Sequence, residues 1–368
     1  MGSLLERGRC SASRALALAA IAATVAALWI AQAATAATLV AVPVATGLNF
    51  PTTVAVAPDG RIFFGEVSGR IGVVNPATGG VSTFATLPIP GTTPGRGIMS
   101  LAFHPAYPST PYLYVSLARE VSGVGKVQLL RLTDTLGVGT NARVLFSAPA
   151  GSDHNASRVA FGGDGRLYLA IGDAGSPSLA QKLSSPSGKI LRMTATGGVP
   201  SNNPWGTRVW AYGVRNTLGM AFDPLTKRLW EADNGPACND EVNRLVRGAN
   251  FGWGAHAVCT VPPKAPRNTN QDGPSPVLPR AWYATPVGPT GASFCSPCSL
   301  GAGSNGAFFF GAWNTGEIRQ LVLDSGRYNV SSGSVAYDHP SSVLAVESDH
   351  QGGLLFTDTS AIYRLTLP

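Results

Sequence analysis

The chain has 368 residues, of which only 13% are charged, while Gly and Pro together account for about a fifth of the sequence. This composition, with a hydrophobic content of 44%, excludes a disordered chain and is typical of many short strands joined by tight turns. The formal net charge is +7, but no basic run with interleaved aromatic residues occurs, so we expect no nucleic-acid partner.

The first 36 residues have the features of a secretory signal peptide. Arginines precede an apolar run at residues 15–30, and small residues at 34–36 then offer a signal-peptidase site. The run is short for a membrane span and no second run follows, so secretion to the periplasm or the extracellular space is favoured over anchoring. We predict a signal peptide at residues 1–36, no stable membrane span after its removal, and a single domain at residues 37–368.

Four cysteines remain after the predicted signal peptide: Cys238, Cys259, Cys295 and Cys298. An even number in an oxidising compartment favours disulfides, and Cys238–Cys259 with Cys295–Cys298 is the simplest pairing. A metal site at the closely spaced pair is the alternative, but the sequence lacks a second close pair of ligands.

One phrase recurs six times along the chain: a small apolar strand, a turn rich in Pro, Asp or Gly, and a second apolar strand. The third residues of the six copies are separated by 47, 58, 61, 72 and 52 positions, and each interval accommodates a four-stranded sheet with loops of varying length. Those third residues are Val56, Phe103, Phe161, Phe222, Phe294 and Val346. The pattern predicts an all-β fold, a six-bladed β-propeller of four-stranded antiparallel blades; a pair of β-sandwiches would not explain the repeated phrase.

Five stretches of the sequence, in order, resemble the soluble quinoprotein sugar dehydrogenases, called glucose/sorbosone or aldose sugar dehydrogenases. They read "HNASRVAFGGDGRLYLAIGD", "SGKILRM", "VWAYGVRNTLGMAFDP", "EADNGPACNDEVNRL" and "GANFGWG". The resemblance covers most of the mature chain. It implies a propeller that binds pyrroloquinoline quinone (PQQ) and Ca²⁺, with a small-molecule sugar as substrate and an external electron acceptor.

His154 lies just before a predicted strand–turn–strand unit whose far end carries Asp173. A hairpin returns its end towards its start, so the two residues can meet. The resemblance implies that His154 is the general base for the anomeric hydroxyl, with Asp173 accepting the other ring N–H. The alternative is a loop histidine that caps a backbone group.

Arg215 and Asn216 lie in "YGVRNTLG", between two predicted strands. A guanidinium at a strand end can project into the mouth of the channel and polarise a carbonyl. The resemblance implies that Arg215 does so for the quinone during catalysis and that Asn216 also contacts the cofactor. A surface arginine in a loop is the alternative.

The turn "DNGPACNDE" is a candidate calcium site. A turn with Gly and Pro can present adjacent carbonyl oxygens, which are ligands that Ca²⁺ accepts. The resemblance implies that the carbonyls of Gly235 and Pro236 bind the ion, that Asn234 contacts the cofactor, and that Asp240 supplies charge near the metal or binds it. A plain acidic turn is the alternative, and the nearby aromatic Trp253 is expected to serve packing or to wall the site.

Three cations of the family's cofactor site are replaced by neutral residues here. The family's fifth-blade lysine falls at Asn314 or Thr315, and its two arginines before the last phrase fall at Pro340 and Ser342. PQQ carries three carboxylates, which need cations. Arg319 and His339 are the nearest basic residues in sequence.

We therefore predict a secreted PQQ-dependent enzyme that oxidises the anomeric carbon of an aldose to a lactone. The replaced cations leave an alternative, a non-catalytic calcium-binding propeller that binds a carbohydrate or a protein. A hydrolase on the same scaffold has less support, because the sequence has no GxSxG element.

Overall fold

The computed structural model describes residues 38–89, 95–256 and 272–368. The predicted signal peptide at residues 1–36 lies outside the described residues. Among the described residues, no helix has the length and hydropathy that crossing a bilayer requires.

The described part of the chain contains 24 strands and one short 3₁₀-helix at Pro177–Gln181. The strands are β1 (Val40–Ala45), β2 (Pro51–Val56), β3 (Ile62–Glu66), β4 (Arg70–Val74), β5 (Val81–Thr86), β6 (Gly97–Phe103), β7 (Tyr112–Val121), β8 (Val124–Thr135), β9 (Val138–Pro149), β10 (Val159–Phe161), β11 (Leu167–Ile171) and β12 (Lys189–Met193). They continue as β13 (Val209–Tyr212), β14 (Thr217–Phe222), β15 (Leu229–Asp233), β16 (Asp240–Arg244), β17 (Ala281–Tyr283), β18 (Pro289–Cys295), β19 (Ala307–Ala312), β20 (Glu317–Leu323), β21 (Val330–Asp338), β22 (Ala345–Ser348), β23 (Leu354–Thr357) and β24 (Ile362–Thr366).

The strands form six antiparallel sheets of four strands each, which confirms the predicted six-bladed β-propeller. Blades 1 to 5 are built from consecutive strands, β2–β5, β6–β9, β10–β13, β14–β17 and β18–β21. Blade 6 combines β22, β23 and β24 with β1, which pairs with β24 from Val40 opposite Thr366. The first strand of the chain therefore closes the ring and covers an edge that would otherwise be unpaired.

Burial is complete on the second strands of five blades and low on the outer strands of blades 1 and 5. Every residue of β3, β11, β15, β19 and β23 is buried, because both faces of these second strands pack against neighbouring blades. Most residues of the fourth strands β5 and β21 are exposed. The apolar strands of the repeated phrase thus form the packing between blades.

The first strands of the six blades contact one another in a closed ring around a central channel. Each aligned third residue of the repeated phrase lies on such a strand, as predicted. Two cavities open along the channel. The upper cavity, about 520 Å³, is lined by loops and by the N-terminal ends of the first strands, and the lower cavity, about 610 Å³, is lined by the rest of those strands.

The predicted disulfide between Cys295 and Cys298 is present, with Cα atoms 5.1 Å apart. It closes a tight loop after β18. Cys238 is also disulfide-bonded, while its predicted partner Cys259 lies outside the described residues.

Candidate functional site

The upper cavity gathers residues that are far apart in sequence. Six of the predicted catalytic, cofactor-binding and metal-binding residues line it: His154, Asn216, Asn234, Gly235, Pro236 and Asp240. Asp173 and Arg215 do not line the cavity but contact residues that do. Its volume of about 520 Å³ is in the range of small-molecule sites.

The predicted contact between His154 and Asp173 is present. Nδ1 of His154 lies 2.7 Å from Oδ1 of Asp173, which is fully buried. The hairpin β10–β11 brings the two together, as the amide of Gly172 donates to the Ala156 carbonyl at 3.0 Å. The exposed Asp153 lies 3.7 Å from the same nitrogen, beyond hydrogen-bond distance.

The close approach of the two hairpin ends depends on Gly172. A Cβ atom at this position would lie 2.1 Å from the carbonyl oxygen of His154. His154 itself adopts a left-handed backbone conformation, with φ of 48°. The imidazole ring of His154 therefore faces the cavity only because Gly172 leaves room for the His154 backbone. A larger residue at position 172 would displace that backbone.

Trp253 holds the second oxygen of Asp173. Its indole Nε1 donates to Oδ2 at 2.7 Å, and the Gly175 amide donates to Oδ1 at 2.9 Å. The sequence favoured a packing role for this tryptophan and gave no sign of the hydrogen bond, because its partner lies 80 residues away in another blade. Trp253 thus fixes the carboxylate that orients His154.

Arg215 and Asn216 are held by the buried carboxylate of Asp233, a role that the sequence did not indicate. The two backbone amides donate to its two oxygens at 2.7 and 2.6 Å. Burial raises the pKa of Asp233 to about 6, although these amide donors oppose the rise. The Arg215 guanidinium stacks over Trp253 at 5.3 Å and donates to the Asn234 carbonyl at 3.0 Å.

Asp240 shapes the candidate calcium turn. One of its oxygens accepts from the Gly235 amide at 2.8 Å, and the other accepts from the amides of Val287 and Gly288 at 2.7 and 2.8 Å. Burial raises the pKa of this carboxyl. Both oxygens of Asp240 are therefore engaged in fixing the turn to blade 5.

The carbonyl oxygens of Gly235 and Pro236 accept no hydrogen bond from the described residues. A Cβ atom at Gly235 would lie 2.1 Å from the Cys238 carbonyl oxygen, so the turn requires glycine there. Two carbonyls at a cavity wall, without donors in the part of the chain that the structure describes, are suitable for a hard cation. No group of three or more His, Cys, Asp or Glu side chains suited to a metal ion occurs within residues 38–89, 95–256 and 272–368.

The described residues that blades 5 and 6 contribute to the cavity wall are neutral. Asn314 lines it and donates to the Pro286 carbonyl at 3.0 Å, while Ser342 donates to the Trp313 carbonyl at 2.7 Å and Pro340 is exposed. The nearby basic residues do not substitute for the missing cations. Arg319 pairs with Glu317 at 2.6 Å and His339 with Asp358 at 3.2 Å, and neither lines the cavity.

Two arginines on the opposite side were not singled out from the sequence. Arg96, at the start of blade 2, and Arg158, just before β10, both line the upper cavity. The Nε atoms of Arg96, Arg158 and Arg215 are buried and have no hydrogen-bond partner within residues 38–89, 95–256 and 272–368. The position of Arg158, four residues after His154 and next to a strand, was the signal that could have identified it.

Comparison with known proteins gives the family. The model of the glucose/sorbosone dehydrogenase family matches residues 48–364. The chain is 31% identical over 243 residues to quinoprotein glucose dehydrogenase B of Acinetobacter calcoaceticus, covering 56% of this chain and 50% of that protein. It is 33% identical over 170 residues to the aldose sugar dehydrogenase YliI of Escherichia coli K12, covering 43% and 46%.

The matched segments thus span about half the length of these two relatives. Among solved structures, a glucose dehydrogenase-type oxidoreductase from Thermus thermophilus superposes with a TM-score of 0.77 at 28% identity, covering 89% of this chain and all of that one. The extent of the family match and this superposition agree with the observed blades. The chain belongs to the glucose/sorbosone dehydrogenase family.

Proposed function

We propose that this protein is a secreted, PQQ-dependent aldose dehydrogenase that oxidises the anomeric carbon of a sugar to a lactone. The observation that carries the proposal is the His154–Asp173 pair, fixed by Trp253 and facing a cavity lined by Arg96 and Arg158, whose buried Nε atoms have no partner among the described residues. The names of the two dehydrogenase relatives support the same activity.

His154 is the proposed general base. The Asp173 carboxylate accepts from Nδ1, so the lone pair lies on Nε2, where it can take the proton of the anomeric hydroxyl. Asp173 then stabilises the imidazolium that forms. The buried contact with Trp253 keeps this carboxylate in one orientation.

The residues around the cavity fit a polyanionic quinone. When bound, PQQ supplies the acceptor for the hydride that leaves the anomeric carbon. Arg215, whose guanidinium contacts the lining residue Asn234, is proposed to polarise a quinone oxygen, and Asn216 and Asn234 line the cavity. Unpaired buried guanidinium N–H groups are costly unless a ligand or water accepts from them.

Calcium is proposed to bind at the carbonyls of Gly235 and Pro236. That these carbonyls accept no hydrogen bond from any described residue supports this assignment, as does the preference of Ca²⁺ for oxygen ligands. Asp240 fixes the turn through three backbone amides and contributes negative charge close to the ion. The electrons gained from the sugar are proposed to pass to an external acceptor.

Reconstitution tests the proposal. Purified protein loaded with PQQ and Ca²⁺ is expected to reduce a dye acceptor with at least one sugar from an aldose panel. His154→Ala is expected to lower kcat by about 10²- to 10⁴-fold. His350→Asn, a change at an exposed residue of the lower cavity, is the matched control and is expected to keep activity.

A second candidate function is a calcium-binding propeller that binds a carbohydrate or a protein without catalysis. The neutral residues at Asn314, Pro340 and Ser342 favour it, because they remove charge from one side of the cofactor site. Calcium binding without quinone binding or dye reduction would support this candidate and contradict the dehydrogenase.

A further inference from the structure

Arg158 is the most unusual charged residue of the channel. It is only 8% exposed, and its guanidinium donates no hydrogen bond to the described residues. It lines both the upper and the lower cavity, so it separates the two along the channel. Burying a cation without partners is costly, so such a residue calls for an anionic ligand or a nearby acid.

The nearby acid is Glu347 of β22, which lines the lower cavity. It interacts electrostatically with Arg158 but makes no hydrogen bond to it, accepting instead from Ser293 and the Ser348 amide. Burial raises the pKa of Glu347 to about 7, so its negative charge is incomplete at neutral pH. Glu347, on the lower-cavity side, therefore compensates the positive charge of Arg158 only in part.

Arg96 lies at the same upper cavity. One guanidinium nitrogen donates to the Gly151 carbonyl at 3.1 Å, which anchors the side chain, while the buried Nε has no acceptor in the described part of the chain. Asp240 is the one carboxylate among the described residues that line this cavity, and both of its oxygens accept from backbone amides. The N–H groups of Arg96 and Arg158 thus have no side-chain acceptor among the described lining residues.

We infer that Arg96 and Arg158 bind carboxylates of the anionic cofactor, on the side formed by blades 2 and 3, in place of the cations absent at Asn314, Pro340 and Ser342. This inference rests on the proposed function. Guanidinium groups suit carboxylates because they donate two parallel N–H groups. In the upper cavity of this chain, the positive charges that bind the ligand therefore lie on the same side as the proposed base, His154.

A binding titration tests the inference without turnover. Quenching of intrinsic tryptophan fluorescence by PQQ, with Ca²⁺ present, gives Kd for the wild type and for Arg158→Met, Arg158→Lys and Arg96→Met. Each Met variant is expected to raise Kd at least about tenfold, with Lys intermediate. Arg143→Met, a change at an exposed arginine of β9, is the matched control and is expected to leave Kd unchanged.

Two further readouts separate ligand binding from a structural role. The midpoint of thermal unfolding of the ligand-free protein is expected to stay or rise in Arg158→Met, because an unpaired buried cation is removed. The trimethyl ester of PQQ, which lacks the carboxylate charges, is expected to bind the wild type weakly and to show no further loss in the Met variants.

The outcomes distinguish this inference from the proposed function. If the wild type binds PQQ and both Met variants bind it with Kd within twofold, the arginine assignment is wrong and the proposed function stands. The assignment is also wrong if the variants weaken PQQ and its ester equally, since packing rather than charge was then lost. A wild type that binds no PQQ overturns the proposed cofactor and this inference together.

Discussion

Blades 2 to 4 and blades 5 and 6 present different chemistry to the same upper cavity. Blades 2 to 4 supply every charged or titratable side chain among its described lining residues: Arg96, His154, Arg158 and Asp240. Blades 5 and 6 supply neutral groups such as Thr290, Trp313, Asn314 and Leu344. The strands of both halves follow the same repeated pattern, so the difference lies in the loops.

This difference shows how a propeller separates fold from chemistry. The buried second strands need mainly apolar side chains on both faces to pack between neighbouring blades, and this requirement recurs around the ring. The loops at the channel mouth carry the ligand contacts and can change one at a time. In this chain the proposed base, His154, and the proposed anion-binding residues, Arg96 and Arg158, lie on the same side of the upper cavity.

The largest effect is expected from Asp173→Asn, a change within blades 2 to 4, which we call the charged half of the site. The change removes the carboxylate that orients His154, and the amide can present an N–H to Nδ1, which favours the wrong tautomer. We expect kcat of the reconstituted enzyme to fall by about 10²- to 10⁴-fold. Steady-state dye reduction measures it.

Asp153→Asn is the matched control for that change, because Asp153 is exposed and lies beyond hydrogen-bond distance of His154. It is expected to alter kcat less than about threefold. An Asp173 variant that is as active as this control would remove the orienting role from the mechanism.

Gly235→Ala probes the boundary between the two halves, where blade 4 meets blade 5. The new Cβ would lie 2.1 Å from a backbone carbonyl oxygen, so the turn must shift. We expect calcium affinity to fall by about 10- to 100-fold, measured by isothermal titration.

The control for this glycine is Gly163→Ala, where the nearest atoms, 3.3 Å away or more, belong to the flexible side chain of Lys227. It is expected to bind calcium as the wild type does. Equal calcium affinity in both variants would move the ion away from the Gly235 turn.

Trp253→Phe should have a smaller effect within the charged half. It retains an aromatic ring beneath Arg215 but loses the 2.7 Å hydrogen bond to Asp173. We expect a fall of about tenfold in kcat, the value of one hydrogen bond to a charged group. Unchanged kcat would show that the Gly175 amide alone is enough to hold the carboxylate.

The smallest expected effect concerns Glu347, the acid that blade 6 places near Arg158. Its folded pKa of about 7 lies above the ordinary value of 4.5, so the folded state binds more protons than the unfolded state between these values. The free energy of unfolding should therefore decrease as pH rises from about 4.5 to 7.

Glu347→Gln should remove this dependence, which is on the order of 1 kcal/mol because Glu347 is only partly buried and solvent screens its carboxyl. Urea unfolding of both proteins at several pH values measures the difference. Parallel curves for the two proteins would contradict the raised pKa.

The sequence predicted the blades well because the repeated phrase places one apolar position on each first strand, from Val56 to Val346. It predicted the contact of His154 with Asp173 because both belong to one hairpin. It could not predict the hydrogen bond from Trp253 to Asp173 or the burial of Arg158 between two cavities. Those features depend on blades meeting around the channel, which local patterns do not specify.

The most direct test is a crystal structure of the protein with PQQ and Ca²⁺. We expect the quinone in the upper cavity beside His154, with carboxylates within hydrogen-bond distance of Arg96 and Arg158 and calcium at the carbonyls of Gly235 and Pro236. A quinone whose carboxylates lie against Asn314 and away from both arginines, or a quinone outside the upper cavity, would contradict the account.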